Sequence, residues 1–137
     1  MTAFVDTSAF YAAADTDDAS SKRARELLIG EADLVTSDHV LVETWRLLRD
    51  RLGFDAAERF WDGLRLGPAA IEPVREADLE GAWQIGRAFA DQEFSLVDRT
   101  SFALMERVAV LRVVAFDDDF AIYRFGARRD RAFDLVR

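Results

Sequence analysis

The chain has no cysteine, one histidine and one lysine in 137 residues. Without cysteine there are no disulfides, no thiolate zinc sites and no cysteine nucleophile, and a reducing cytoplasm is the expected setting. With His39 alone, no multi-histidine metal site can be built. His39 reads as a surface residue near a helix start. Glycine and proline are sparse, at seven and two. Pro68 and Pro73 share one short central stretch, which reads as a loop around a strand and not as a linker. There are no repeats and no low-complexity tract. No apolar run approaches the ~20 residues that span a bilayer. Asp6 interrupts the first apolar run, so no secretory leader and no membrane association are expected. No Gly-x-Ser-x-Gly, Walker A or Gly-x-Gly-x-x-Gly sequence occurs.

What is present is acid and apolar residue in quantity. Half the residues are hydrophobic and the net charge is −8. The length supports one domain with a real core, residues 1–137, and is too short for two. The charge argues against a broad basic surface that grips nucleic acid. It does not exclude a nuclease, because bound divalent cations invert the local charge of an acid cluster. Seventeen of the eighteen basic residues are arginine. Arginine suits bidentate phosphate recognition, although base composition of the gene explains the bias as well.

Strand and helix signals alternate. Strands are expected at Ala3–Asp6, Leu34–Thr36, Ala70–Val74 and Arg112–Phe116, with a fifth at Ala132–Val136. Helices are expected at Ser8–Ala14, Ser20–Ile29, Asp38–Leu52, Asp55–Leu66, Glu76–Asp91 and Leu96–Val108, three of them closed by Gly30, Gly53 and Gly67. The strands are apolar throughout and do not alternate. That pattern predicts a three-layer α/β/α fold: a central parallel sheet of four to five strands with helices on both faces.

Four acids each end an apolar run: Asp6, Glu43, Asp98 and Asp117. A carboxylate beside residues that favour burial costs free energy unless it is paired, hydrogen-bonded or bound to a cation. Each has a plainer reading. Asp6, Thr7 or Ser8 can cap the next helix. Glu43, between Val40 and Leu47, can be a solvated residue on a helix whose main apolar stripe is Leu41, Trp45, Leu48 and Leu52. Asp98 can complete a capping box with Ser95, although Ser101, Phe102, Met105 and Val108 follow it on one face. Asp117 can open an Asx turn or cap a helix. In Asp117-Asp118-Asp119, alternation along extended chain would direct Asp117 and Asp119 to one side. In a parallel sheet, strand ends and following helix starts share one edge, so the four acids can converge there. An aspartyl-phosphate or phosphatase site is disfavoured because Lys22 is badly placed to steady a phosphoryl group. The remaining chemistry is a hard, all-oxygen site for Mg²⁺ or Mn²⁺, suited to phosphodiester hydrolysis.

The ordered set Val5-Asp6-Thr7-Ser8-Ala9, Val42-Glu43, Ser95-Leu96-Val97-Asp98 with Ser101 to Met105, and Phe116-Asp117-Asp118-Asp119-Phe120 resembles the PIN-domain ribonucleases. More narrowly, it resembles the VapC-type toxins of bacterial toxin–antitoxin pairs. The acids are separated by 37, 55 and 19 positions, and the resemblance spans nearly the whole chain. It implies Mg²⁺-dependent RNA cleavage. Asp6 and Asp98 would be the main metal ligands. Glu43 would bind metal or orient the attacking water, and Asp117 would complete the site. Thr7, Ser8 and Asp119 would support it. It further implies a homodimer and an antitoxin whose tail lies in a groove near Phe10-Tyr11, Trp45 or Phe60-Trp61. Core packing is the competing role for Trp45, and for Trp83. Arg46, Arg49 and Arg51, or Arg128, Arg129 and Arg131, are candidate RNA contacts, against a solvated charged face. A housekeeping RNA-processing nuclease and a non-catalytic protein-binding scaffold are the alternatives within the same fold.

Overall fold

The computed structural model describes residues 1–31 and 33–137. Five strands, β1 (Thr2–Val5), β2 (Asp33–Ser37), β3 (Ala70–Glu72), β4 (Arg112–Val114) and β5 (Asp134–Val136), form one sheet in the order β3-β2-β1-β4-β5. Every pairing is parallel. The helices are α1 (Thr7–Ala14), α2 (Ser21–Gly30), α3 (Asp38–Leu52), α4 (Phe54–Arg65), α5 (Glu76–Ala88), α6 (Leu96–Val108) and α7 (Asp119–Ile122). The fold is therefore the α/β sandwich expected, with β5 present and with α7 as an addition.

The unalternating strands follow from double burial. Successive strand side chains point to opposite faces. Phe4 and Val113 enter one core, with Phe102, Leu104 and Met105 of α6. Ala3, Val5 and Val114 enter the other, with Ala9 of α1 and Leu27 of α2. Both faces are covered, so both sets of positions are apolar.

Two devices hold the helices that later matter. Phe102 of α6 stacks on Tyr123 at 4.2 Å and meets Phe120 of α7 edge-on at 5.0 Å. This aromatic cluster fixes α6 against α7. Arg107 of α6 meets buried Asp78 of α5 with two hydrogen bonds of 2.9 Å and reaches Glu72 of β3 at 3.1 Å. Burial disfavours the Asp78 charge, but the Arg107 hydrogen bonds and the one from the Arg75 backbone N–H outweigh it and hold the carboxyl below its ordinary range.

Two sequence expectations are corrected. The buried line of α3 is Val40, Thr44 and Leu48, not Leu41, Trp45, Leu48 and Leu52. Leu41 and Trp45 turn toward α4 and line a groove with Val42 and Trp61, while Leu52 is exposed. A wheel scored by hydrophobicity misses Thr44 and so rotates the stripe. Trp83 is 57% exposed. The core line of α5 is Asp78, Ala82 and Ile85, and Trp83 falls off it under the Arg87 guanidinium, 5.2 Å from the ring.

Candidate active site

In this strand order β1 lies between β2 and β4, and the chain leaves β1 toward one side of the sheet while β4 returns on the other. Such a switch point opens a crevice at the carboxyl ends of the two strands. Asp6 follows β1, and Asp117 follows β4 by three residues. The strand ends are stitched together there. The Asp6 N–H donates to the Val114 carbonyl at 3.1 Å. The Phe116 N–H donates to Ser8 Oγ at 2.9 Å, and Ser8 Oγ donates to Asp6 Oδ2 at 2.6 Å. Asp6 Oδ2 also caps α1 through the Ser8 N–H at 3.1 Å.

Helix α6 brings its first turn to the same edge. Ser95 caps it, accepting from the Asp98 N–H at 3.0 Å. The Asp98 side chain is thereby free for other company. One carboxylate oxygen from each of Asp98, Asp117 and Asp119 lies within 4.8 Å of the others. Asp119 opens α7, and Asp118 before it has helical backbone angles. The turn thus carries Asp117 and Asp119 inward and Asp118 outward, by a tight turn and not by strand alternation. Asp118 is 77% exposed and pairs with Arg137 at 2.9 Å. Arg137, which also donates to the Asp117 carbonyl at 3.2 Å, has no signal in the sequence. Its place depends on the β4–β5 register.

The electrostatics show one connected cluster. Burial pushes Asp98 up to about 9, helped by a hydrogen bond with Asp119 and by repulsion from Asp6, Asp119 and Asp117. Burial pushes Asp117 up to about 7, with repulsion from Asp6 and Asp119 next in size. Asp6 is raised by burial as well. The Ser8 hydrogen bonds oppose the rise and Glu43 adds to it by repulsion. Glu43 thus repels Asp6 from α3 but stands outside the tight trio.

Among the described residues, several buried oxygens here lack hydrogen-bond partners: Asp6 Oδ1, Asp117 Oδ1, Thr7 Oγ1 and Ser101 Oγ. Buried polar atoms are nearly always satisfied. Unpaired carboxylate oxygens in a crowded cluster of acids fit a hard divalent cation, which takes oxygen ligands and offsets the repulsion. The donor set is all oxygen, as Mg²⁺ and Mn²⁺ prefer.

The remaining residues singled out in the sequence make other contacts. His39 is half-buried, its Nδ1 3.4 Å from Thr100 Oγ1. Arg46 is exposed, and Arg49 is exposed and pairs with Asp50 at 3.0 Å. Arg128 is exposed, and Arg129 lies over the Phe89 ring at 5.0 Å.

A parallel sheet with acids gathered at its switch point defines a class of α/β domain suited to a hard divalent cation. The PIN domain family matches residues 3–126, and the chain belongs to that family. The likeness extends to its VapC-type branch. The chain is 39% identical over 124 residues to the 23S rRNA-specific endonuclease VapC20 of Mycobacterium tuberculosis, in strains CDC 1551 / Oshkosh and ATCC 25618 / H37Rv. The alignment covers 89% of this chain and 94% of that protein. The crystal structure of M. tuberculosis VapC20, described as a sarcin-ricin loop cleaving toxin, matches with a TM-score of 0.80 at 36% identity. That match covers 88% of this chain and 93% of the other. A toxin–antitoxin complex from Klebsiella pneumoniae matches with a TM-score of 0.68 over 98% of this chain and 96% of that one. At 12% identity that likeness is one of fold alone.

Proposed function

We propose that this chain is a metal-dependent endoribonuclease of VapC type, the toxin of a type II toxin–antitoxin pair, acting as a single domain on 23S rRNA. The observation that carries the reading is the convergence of Asp98, Asp117 and Asp119 within 4.8 Å beside Asp6, with unpaired buried oxygens among them. The VapC20 likeness supplies the substrate class. A non-catalytic scaffold is disfavoured, because it has no need to keep several buried acids at a cost in stability.

Asp6, Asp98 and Asp117 would hold Mg²⁺ or Mn²⁺, with Asp119 and Glu43 beside them. When bound, the cation supplies a more acidic water and stabilises charge on the leaving oxygen. The chain's own residues prepare this. Ser8 orients Asp6 by donating to Oδ2, which leaves Oδ1 for a ligand. Ser95 orients Asp98 by fixing the first turn of α6. Glu43, which repels Asp6 from α3 and lies outside the trio, would bind metal or orient the attacking water. The Phe102–Tyr123–Phe120 cluster keeps α6 and α7 from separating under the repulsion of the acids.

The antitoxin would cover the half-buried apolar grooves on the α4 side, where Trp45 and Trp61 line one and Phe10 and Phe60 the other. Homodimerisation and a cytoplasmic location complete the proposal. Among the described residues, no helix is long and apolar enough to cross a membrane.

The test is cleavage of 23S rRNA by wild type, Asp6→Asn and Asp98→Asn in Mg²⁺, Mn²⁺ or EDTA. Wild type cuts, EDTA stops it, and each variant loses roughly 100-fold or more. Equal activity in all three proteins sinks the mechanism.

A further inference from the structure

Beside a bound metal, cationic side chains commonly receive the phosphate backbone of a nucleic acid. Among the described residues, Arg137 alone of the basic side chains hydrogen-bonds to the segment Asp117–Asp119. Arg99, one residue after Asp98, turns back to the carbonyls of Ser95 and Ala82. Arg112 is committed to Glu31 and Asp134.

The fold places Arg137 there. Strand β5 runs parallel to β4, with Val136 opposite Val114, so Arg137 leaves the sheet at the edge from which Asp117 emerges. One nitrogen, Nη1, makes both bonds, to the Asp117 carbonyl at 3.2 Å and to Asp118 Oδ1 at 2.9 Å. Nε and Nη2 have no partner among the described residues. They form one edge of the guanidinium fork, whose two parallel N–H groups match two oxygens of a phosphate. The side chain is 41% exposed. Asp118 holds it in place beforehand, which lowers the ordering cost on binding.

We infer that Arg137 is a substrate-binding residue: its Nε–Nη2 edge takes a backbone phosphate of the RNA beside the acid cluster, while Asp118 and the Asp117 carbonyl anchor the other side. The inference rests on the ribonuclease reading above. The bland account is a surface ion pair, worth little to stability or function.

The experiment compares wild type, Arg137→Ala, Arg137→Lys and Asp118→Asn in steady-state RNA cleavage. It also measures RNA binding over a salt series in the silenced Asp98→Asn chain, with and without Arg137→Ala. Arg137→Ala raises KM roughly threefold to tenfold with kcat within about twofold. The slope of log affinity against log salt flattens by about 0.7, one single-strand phosphate contact. Arg137→Lys recovers the slope but only part of the KM, because the fork is lost. Asp118→Asn keeps the slope. An unchanged KM and slope in Arg137→Ala overturns the assignment, and so does Asp118→Asn matching Arg137→Ala, which marks a mere bridge. Thermal melting of Arg137→Ala within about two degrees of wild type excludes unfolding as the cause. A wild type that neither binds nor cuts RNA overturns the nuclease reading and the assignment with it. Wild-type cleavage with an indifferent Arg137→Ala overturns the assignment alone.

Discussion

Asp6 divides its two carboxylate oxygens between two tasks. Oδ2 receives Ser8 Oγ and the Ser8 N–H, which caps α1, while Oδ1 is buried without a partner among the described residues. The capping and ligand readings of the sequence therefore do not compete at this residue, and Ser95 similarly frees the Asp98 side chain by capping α6 itself. Ser8 joins the ends of β1 and β4, accepting from Phe116 N–H and donating to Asp6. Ser8→Ala removes both bonds and strands a partly buried N–H, so it should cost about 1–2 kcal/mol in urea unfolding. It should also weaken Mg²⁺ binding by isothermal titration several-fold, since Asp6 loses the donor that favours its charged form. Unaltered metal affinity in a destabilised Ser8→Ala would show that the serine serves the fold only. Asp117 and Asp119 were legible as a pair, yet alternation was the wrong reason. The turn into α7 sets their direction. Arg137 was not legible, because nothing local marks a residue whose contact lies twenty positions away across a strand pairing.

At the scale of elements, the apolar strands could be read directly, since burial on two faces leaves an unbroken run. The helices were harder. Hydrophobic periodicity treats a polar residue as outward, and it therefore misplaced Thr44 on α3 and gave no sign that Asp78 is in the core line of α5. Asp78 is 1% exposed and ties α5 to α6 through Arg107, while Glu72 on the same guanidinium is only half-buried. The two acids should differ accordingly. Asp78→Ala leaves a partly buried arginine without its bidentate partner and should cost about 3 kcal/mol. Glu72→Ala should cost less than about 1 kcal/mol. Chemical denaturation of both variants measures the difference, and equal losses would mean that burial does not govern this network. Because α5 supports α6, Asp78→Ala should also lower nuclease activity only as far as it lowers the folded fraction.

For the whole molecule, the sheet order was the part that the sequence left open, and it is the part that makes a site. Parallel pairing puts strand ends on one edge, but only the order β3-β2-β1-β4-β5 sets the end of β1 beside the end of β4. The cost of gathering acids there appears in the pH dependence of stability. A carboxyl whose folded pKa is raised binds its proton more tightly folded than unfolded. Its contribution to stability is present in full below its ordinary pKa and is lost as pH rises through the folded value. Asp98, moved from 3.8 up to about 9, and Asp117, from 3.8 up to about 7, set that window. Asp78 and Glu31, held low by their arginines, act in the opposite sense, and their stability is lost only as pH falls below their ordinary values of 3.8 and 4.5. The metal-free protein should therefore become less stable as pH rises from about 5 to about 9. Saturating Mg²⁺, held by the ionised acids as proposed, should remove most of that slope, raising the melting temperature by several degrees at pH 8 and little at pH 5. Melting in EDTA and in Mg²⁺ across this range reads both. A metal-free melting temperature that climbs toward pH 9, or a Mg²⁺ effect that is the same at pH 5 and pH 8, would separate the raised carboxyls from the cation they are proposed to hold.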